Sequence, residues 1–213
     1  MSAMDGVTEI GTVAFTQMKD GSRDDYLLLR RTEHRHLAGT ADRLLRELAR
    51  QGEESFEGYQ ITRLDHALQS ATRAVREGAD VDWIVSALLH DIGDGLAPQN
   101  HDRFAAEILR PFVRDECVWV VEHHGAFQMI YYAHHYEGWN PNERDRYRGH
   151  PYFDSCAAFC ERWDQASFDP AYDMMSLTDF EPLVREVFTR RPYDAAIIRL
   201  GEVIGLPAVS ASS

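Results

Sequence analysis

The feature that most constrains this chain is a nearly all-apolar run, Val81–Leu89, that stops abruptly on two adjacent polar residues, His90-Asp91. A segment apolar on almost every side belongs in a core. Asp80 or Asp82 can cap it as a helix, and Gly93 and Gly95 end it. Two polar side chains leaving the core together can converge on one point. The alternative is a helix end that happens to be polar. Asp91, however, fits poorly beside the negative end of the helix dipole unless a cation sits near it.

The rest of the chain reads as helix too. Residues 41–50 carry Leu44, Leu45 and Leu48 among charges, a stripe at 3.6 periodicity. Residues 61–76 repeat this with Leu64, Leu68, Ala71 and Val75 before Gly78. Further helices are expected over 102–109, closed by Pro111, and 115–124, closed by Gly125. Three more are expected over 151–163, 182–189 and 193–202. Residues 7–16 alternate loosely, enough for a two-stranded hairpin at most. The first 22 residues and the tail from position 207 are expected to be frayed or only locally docked. The fold class expected is all-α, a single domain of about eight or more helices over 1–213.

Composition narrows the function. A domain of 213 residues buries roughly 70% of its unfolded surface, enough for a core of its own. Lys and Arg number 22 against 35 Asp and Glu, a formal charge of −13. That balance argues against nucleic acid or an anionic membrane as partner. Three cysteines cannot build a disulfide framework, and no apolar run or leader pattern marks a membrane span or secretion. A cytoplasmic location is therefore expected. All ten histidines lie between His34 and His150, a density that raises the prospect of a metal site.

Three pieces carry that prospect. The first is His90-Asp91. The second is His66, close to the apolar face of the 61–76 helix, where a lone histidine is more often a satisfied core residue than a ligand. The third comprises His101-Asp102, Glu122-His123-His124 after another apolar stretch, and Asp164 after Trp163. Four histidines and two aspartates without thiolates suit iron, manganese or zinc.

The pattern His66 … His90-Asp91 … Asp164 resembles the H…HD…D signature of the HD-domain superfamily, over roughly residues 59–169. His66-Ala-Leu-Gln-Ser-Ala, His101-Asp102-Arg-Phe and His124-Gly-Ala-Phe are similar to segments of its mixed-valent diiron oxygenases. That group includes myo-inositol oxygenase and phosphonate-cleaving oxygenases. The resemblance implies a compact helical HD fold and two iron ions, Fe(II)/Fe(III), with O2 as cosubstrate. It implies that His66, His90 and Asp164 hold one ion, that His101 and His124 hold the other, and that Asp91 bridges them. His124 is preferred to His123 because it directly precedes the similar Gly-Ala-Phe; His123 is left to face substrate.

The implied reaction is hydrogen abstraction from a hydroxylated carbon and cleavage of the adjacent C–P or C–C bond. Asp94 departs from the Lys or His that such oxygenases carry there, and suits a substrate with a cationic group. Phe127, Tyr131, Tyr132, Tyr136 and Trp139 either pack as core or attract that cation. A 1-hydroxy-2-(alkylated)aminoethylphosphonate is the expected substrate. Tyr59, Gln128, Asp94 and Asp91 are the candidate catalytic residues, and Tyr59, Asp94, His123, Gln128 and Arg162 the candidate substrate contacts. Arg144, Arg146, Arg148 and His150 suit either a phosphonate or a solvated loop. The alternative activity is a metal-dependent phosphohydrolase on nucleotides or other phosphate esters.

Overall fold

A computed structural model describes residues 11–53 and 58–208. Among these residues there are nine α-helices and no strand, so the chain is all-α. The described residues fall into two compact units that meet in sequence between Arg43 and Leu44.

The first unit holds α1 (Arg23–Ala38). Ser22 and Asp25 form a reciprocal capping box at its start, satisfying two backbone N–H groups that the helix leaves unpaired. The apolar spacing of α1 is irregular and none of its residues is buried, which is why periodicity did not reveal it. The alternation over 7–16 falls partly outside the described residues, and 11–16 form no strand. Helix α2 (Thr40–Gln51) begins in this unit; its residues from Leu44 on belong to the second.

In the second unit α4 (Val81–Leu89) is the central element, with every residue from Asp82 to Leu89 buried. It packs on α3 (Arg63–Arg76), α6 (Asp115–Tyr132) and α8 (Leu177–Phe188). Asp80 caps it, accepting from the Trp83 N–H at 3.1 Å. The buried carboxylate of Asp82 is neutralised by Arg190 at 2.6 Å and accepts the Arg114 N–H at 3.0 Å. Leu88 and Leu89 are fully buried, each worth about 1.5–3 kcal/mol of hydrophobic stabilisation. A second layer pairs α5 (His101–Leu109) with α6, and α6 with α7 (Phe153–Phe159).

Several element boundaries differ from expectation for identifiable reasons. Helix α6 runs through Gly125 to Tyr132, because Gly125 keeps a helical backbone instead of the left-handed one that a stop requires. Helix α8 starts at Leu177 behind a Ser176–Asp179 capping box and contains Pro182 in its first turns. The last helix, α9 (Ala195–Ile198), is a single turn. Residues 160–164 do not simply extend α7. They form a π-helical turn, in which Gln165 N–H reaches back five residues to the Cys160 carbonyl at 3.0 Å. No helix among the described residues is long and apolar enough to cross a membrane.

Candidate metal centre

Five elements deliver six side chains to one place. Helix α3 supplies His66, the end of α4 supplies His90 and Asp91, α5 opens with His101, α6 carries His124, and the π-turn delivers Asp164. The structure thus brings together all six residues that the resemblance implied as ligands.

The spacing has a two-sided form. Oδ2 of Asp91 faces His66 Nε2 at 3.5 Å and His90 Nε2 at 3.4 Å. Its other oxygen, Oδ1, faces His101 Nε2 at 3.3 Å and His124 Nε2 at 3.1 Å. Asp164 Oδ1 completes the first group, 3.3 Å from His66 Nε2 and 3.6 Å from His90 Nε2. A cation with bonds of about 2.1 Å sets neighbouring ligand atoms about 3.0–3.4 Å apart, close to these values.

The hydrogen bonds of the imidazoles decide which nitrogen is available. His66 Nδ1 lies 2.9 Å from the Ser167 carbonyl, and His90 Nδ1 2.8 Å from that of Ala87. His101 Nδ1 lies 3.2 Å from the Pro98 carbonyl, and His124 Nδ1 2.7 Å from that of Val121. A carbonyl only accepts, so each Nδ1 carries the proton and each Nε2 presents its lone pair inward. His66 Nε2 and His90 Nε2 are 3.1 Å apart, a range two lone pairs tolerate only with a proton or a metal ion between them.

The electrostatics give the same answer. Burial opposes charge on His66, yet its contacts with Asp164 and Asp91 outweigh that and push its pKa up to about 10. His124 is pushed up to about 10 against the same burial by Asp91. Burial likewise opposes charge on Asp91 and Asp164. His90 beside them, with hydrogen bonds from the neighbouring imidazoles, holds both carboxyls below their ordinary value. Asp164 Oδ2 is buried and has no hydrogen-bond partner, a costly state for a carboxylate oxygen unless a cation meets it. The donor set therefore fits a pair of divalent or trivalent metal ions.

A cavity of about 640 Å³ opens beside this cluster. Its walls include Asp91, His101, His124 and Asp164, together with Tyr59, Asp94, Gln128, Tyr131, Tyr132, Tyr136 and Trp139. Asp94 is not a free counter-ion, because Arg63 Nε pairs with it at 2.5 Å. Phe127 is buried against Phe153 and is absent from the cavity wall.

Two other candidate contacts point elsewhere. His123 follows a different face of α6, stacks on Trp119 at 4.2 Å and donates to its carbonyl. Arg162 is engaged by the Glu77 carboxylate and the Pro207 carbonyl. Arg146 and Arg148 pair with Glu143 and Asp145 on their own loop. Sequence reasoning missed Gln165 and Phe168, which line the cavity directly after Asp164. Their proximity in sequence to a ligand was the available signal.

A helical domain with paired His/Asp sites at the end of its central helix is the class that fold and site define. Residues 63–164 match the family model of the HD domain. A relative with a known name is the glycine-betaine-forming 1-hydroxy-2-(trimethylamino)ethylphosphonate dioxygenase of Leisingera caerulea, 34% identical over 88 residues. That match covers 36% of this chain and 45% of the relative, so it spans under half the relative's length. The matched span contains all six of the clustered histidines and aspartates.

Proposed function

We propose that this protein is an O2-dependent diiron oxygenase that cleaves the C–P bond of a small 1-hydroxy-2-(alkylated)aminoethylphosphonate. The observation that carries this reading is the division of labour within Asp91, whose two oxygens each face a separate pair of imidazoles. One carboxylate spanning two nitrogen-rich pockets is what a coupled metal pair needs. The name of the relative supports the substrate class.

Two irons held by His66, His90, Asp164, His101, His124 and the shared Asp91 would supply the redox chemistry that activates O2 and removes hydrogen from the hydroxylated carbon. The chain's own residues bind and orient. Among the described residues the cavity wall has no Lys or Arg, so the anionic end of the substrate is directed to the metal side. Tyr132, Tyr136 and Trp139 form a mutually packed aromatic wall, with centroids 5.1–6.2 Å apart. Such ring faces attract a desolvated alkylated ammonium. Because Arg63 already neutralises Asp94, this role falls to the rings. Gln128, one helical turn beyond His124, offers an amide to the substrate's polar atoms. Tyr59 stacks on Phe168 at 5.3 Å and closes the wall nearest His66.

Metal analysis with electron paramagnetic resonance on protein from iron-supplemented cells, after partial oxidation, tests the proposal. Close to two irons per chain, a coupled half-integer-spin signal, and oxygen uptake with hydroxylated aminophosphonates are expected. One metal per chain, no such signal, and release of phosphate from nucleotides or other esters would replace this reading with a phosphohydrolase.

A further inference from the structure

Three of the four ligand imidazoles are oriented locally. His90, His101 and His124 each donate Nδ1–H to the carbonyl three residues earlier in the chain. His66 differs, because its acceptor is the Ser167 carbonyl, 101 residues away. The tautomer and rotation of His66 therefore depend on where the 164–169 strap lies.

That strap is gripped from the ligand helix. Gln69, three residues beyond His66 and on the same face of α3, is 1% exposed. Its Nε2 donates to the Asp169 carbonyl at 2.9 Å, and its Oε1 accepts the Asp169 N–H at 3.2 Å. A side-chain amide thus closes a two-point bond with main chain two residues past Ser167. Phe168, between them, stacks on the His66 ring at 4.5 Å. Two further bonds from α3 hold this part of the chain: Arg73 donates to the Ala166 carbonyl at 2.7 Å, and, beyond the strap, Thr72 Oγ1 accepts from Met175 N–H at 3.0 Å.

We infer that Gln69 is a positioning residue of the His66/His90/Asp164 half of the metal centre. It acts by holding the Ser167 carbonyl against His66 Nδ1 and the Phe168 ring on the imidazole face. The inference rests on the metal centre and not on the oxygenase reading. Neither shape nor hydrophobicity explains the choice of an amide at this buried position: a leucine would fill the space but make neither bond.

The test is a Co(II) titration of metal-free protein, read by visible absorption and calorimetry, for wild type, Gln69→Leu, His66→Ala and the double variant. Gln69→Leu is expected to weaken the tighter His66-dependent Co(II) by about 10- to 100-fold, the usual loss when a partner of a ligating histidine is removed. In the His66→Ala background the same substitution is expected to change nothing, because its route to the metal is gone. Gln69→Glu, which keeps the acceptor but loses the donor, should fall between. Thr72→Val removes the bond to Met175, beyond the strap, and serves as a control for docking of the following segment alone; unchanged Co(II) affinity is expected.

Equal weakening by Gln69→Leu with and without His66, or by Thr72→Val to the same degree, would overturn the positioning role. So would wild-type affinity in Gln69→Leu. Wild-type protein that takes up no Co(II) would overturn the metal centre and this inference with it.

Discussion

His66, His90 and Asp164 keep 3% or less of their surface, whereas the side chain of His101 keeps 26% beside the cavity. The buried half presents two imidazoles, one terminal carboxylate and one oxygen of Asp91; the open half presents two imidazoles and the other oxygen. With fewer protein donors and a cavity at its side, the open half has room for exchangeable ligands. The buried half has one more protein donor, and only His66 and Asp164 of its own residues reach the cavity wall. On the proposed two-metal reading, the contrast would give retention to one ion and ligand exchange to the other, with Asp91 between them.

The largest effect should come from removing the link. Asp91→Ala is expected to abolish binding of both ions, leaving metal content near zero by elemental analysis; retention of either ion would break the view of Asp91 as shared. Next, stripping the metals should lower the melting temperature by about 10 °C at a metal concentration about a thousandfold above Kd. His101→Ala should retain most of that shift and His66→Ala should lose most of it. The reverse order, measured by calorimetry, would invert the comparison.

Protons sharpen it further. Without metal, His66 and His124 have pKa values raised from 6.5 to about 10, one in each half. Metal binding at pH 7 should therefore release about two protons, measurable by calorimetry in buffers of different ionisation enthalpy. In the metal-free protein these imidazoles stabilise the fold fully below pH 6.5, and that contribution is lost as pH rises through about 10. Asp91 and Asp164 act oppositely: their contribution is present above their ordinary 3.8 and is lost as pH falls through their lowered values. Metal-free protein should accordingly melt higher at pH 6 than at pH 10.

The smallest effect concerns the cavity wall. Trp139→Leu should raise KM for a trimethylammonium substrate roughly 3- to 30-fold, as expected for losing a cation–π contact. A primary-amine analogue should be little affected. Equal losses for both would assign the ring a packing role.

The clustering of the six residues was legible because all but His101 interrupt an apolar helical stretch or follow one, and because the motif spacing carries a resemblance. The choice between His123 and His124 is a matter of helix phase: one position of rotation sends His123 to Trp119 and His124 to Asp91. What stayed hidden depends on tertiary context. Gly125 reads as a stop until α5 and α7 pack along α6 and carry the helix past it. The π-turn that aims Asp164 adds winding that no residue pattern announces. Asp94 reads as a free carboxylate until Arg63, 31 positions earlier, is seen beside it. Gln69 is an ordinary polar residue in a helix until the chain returns a hundred residues later to meet it.

The carbonyls of Ala87, Pro98 and Val121 that hold three ligand rings belong to the main chain, which is present whatever residue occupies those positions. No single substitution there deletes the acceptor. A lineage descended from this protein can therefore redraw its cavity lining residue by residue while inheriting those three rings already set. Substrate range is free to diversify, and the metal chemistry beneath it is slow to be lost.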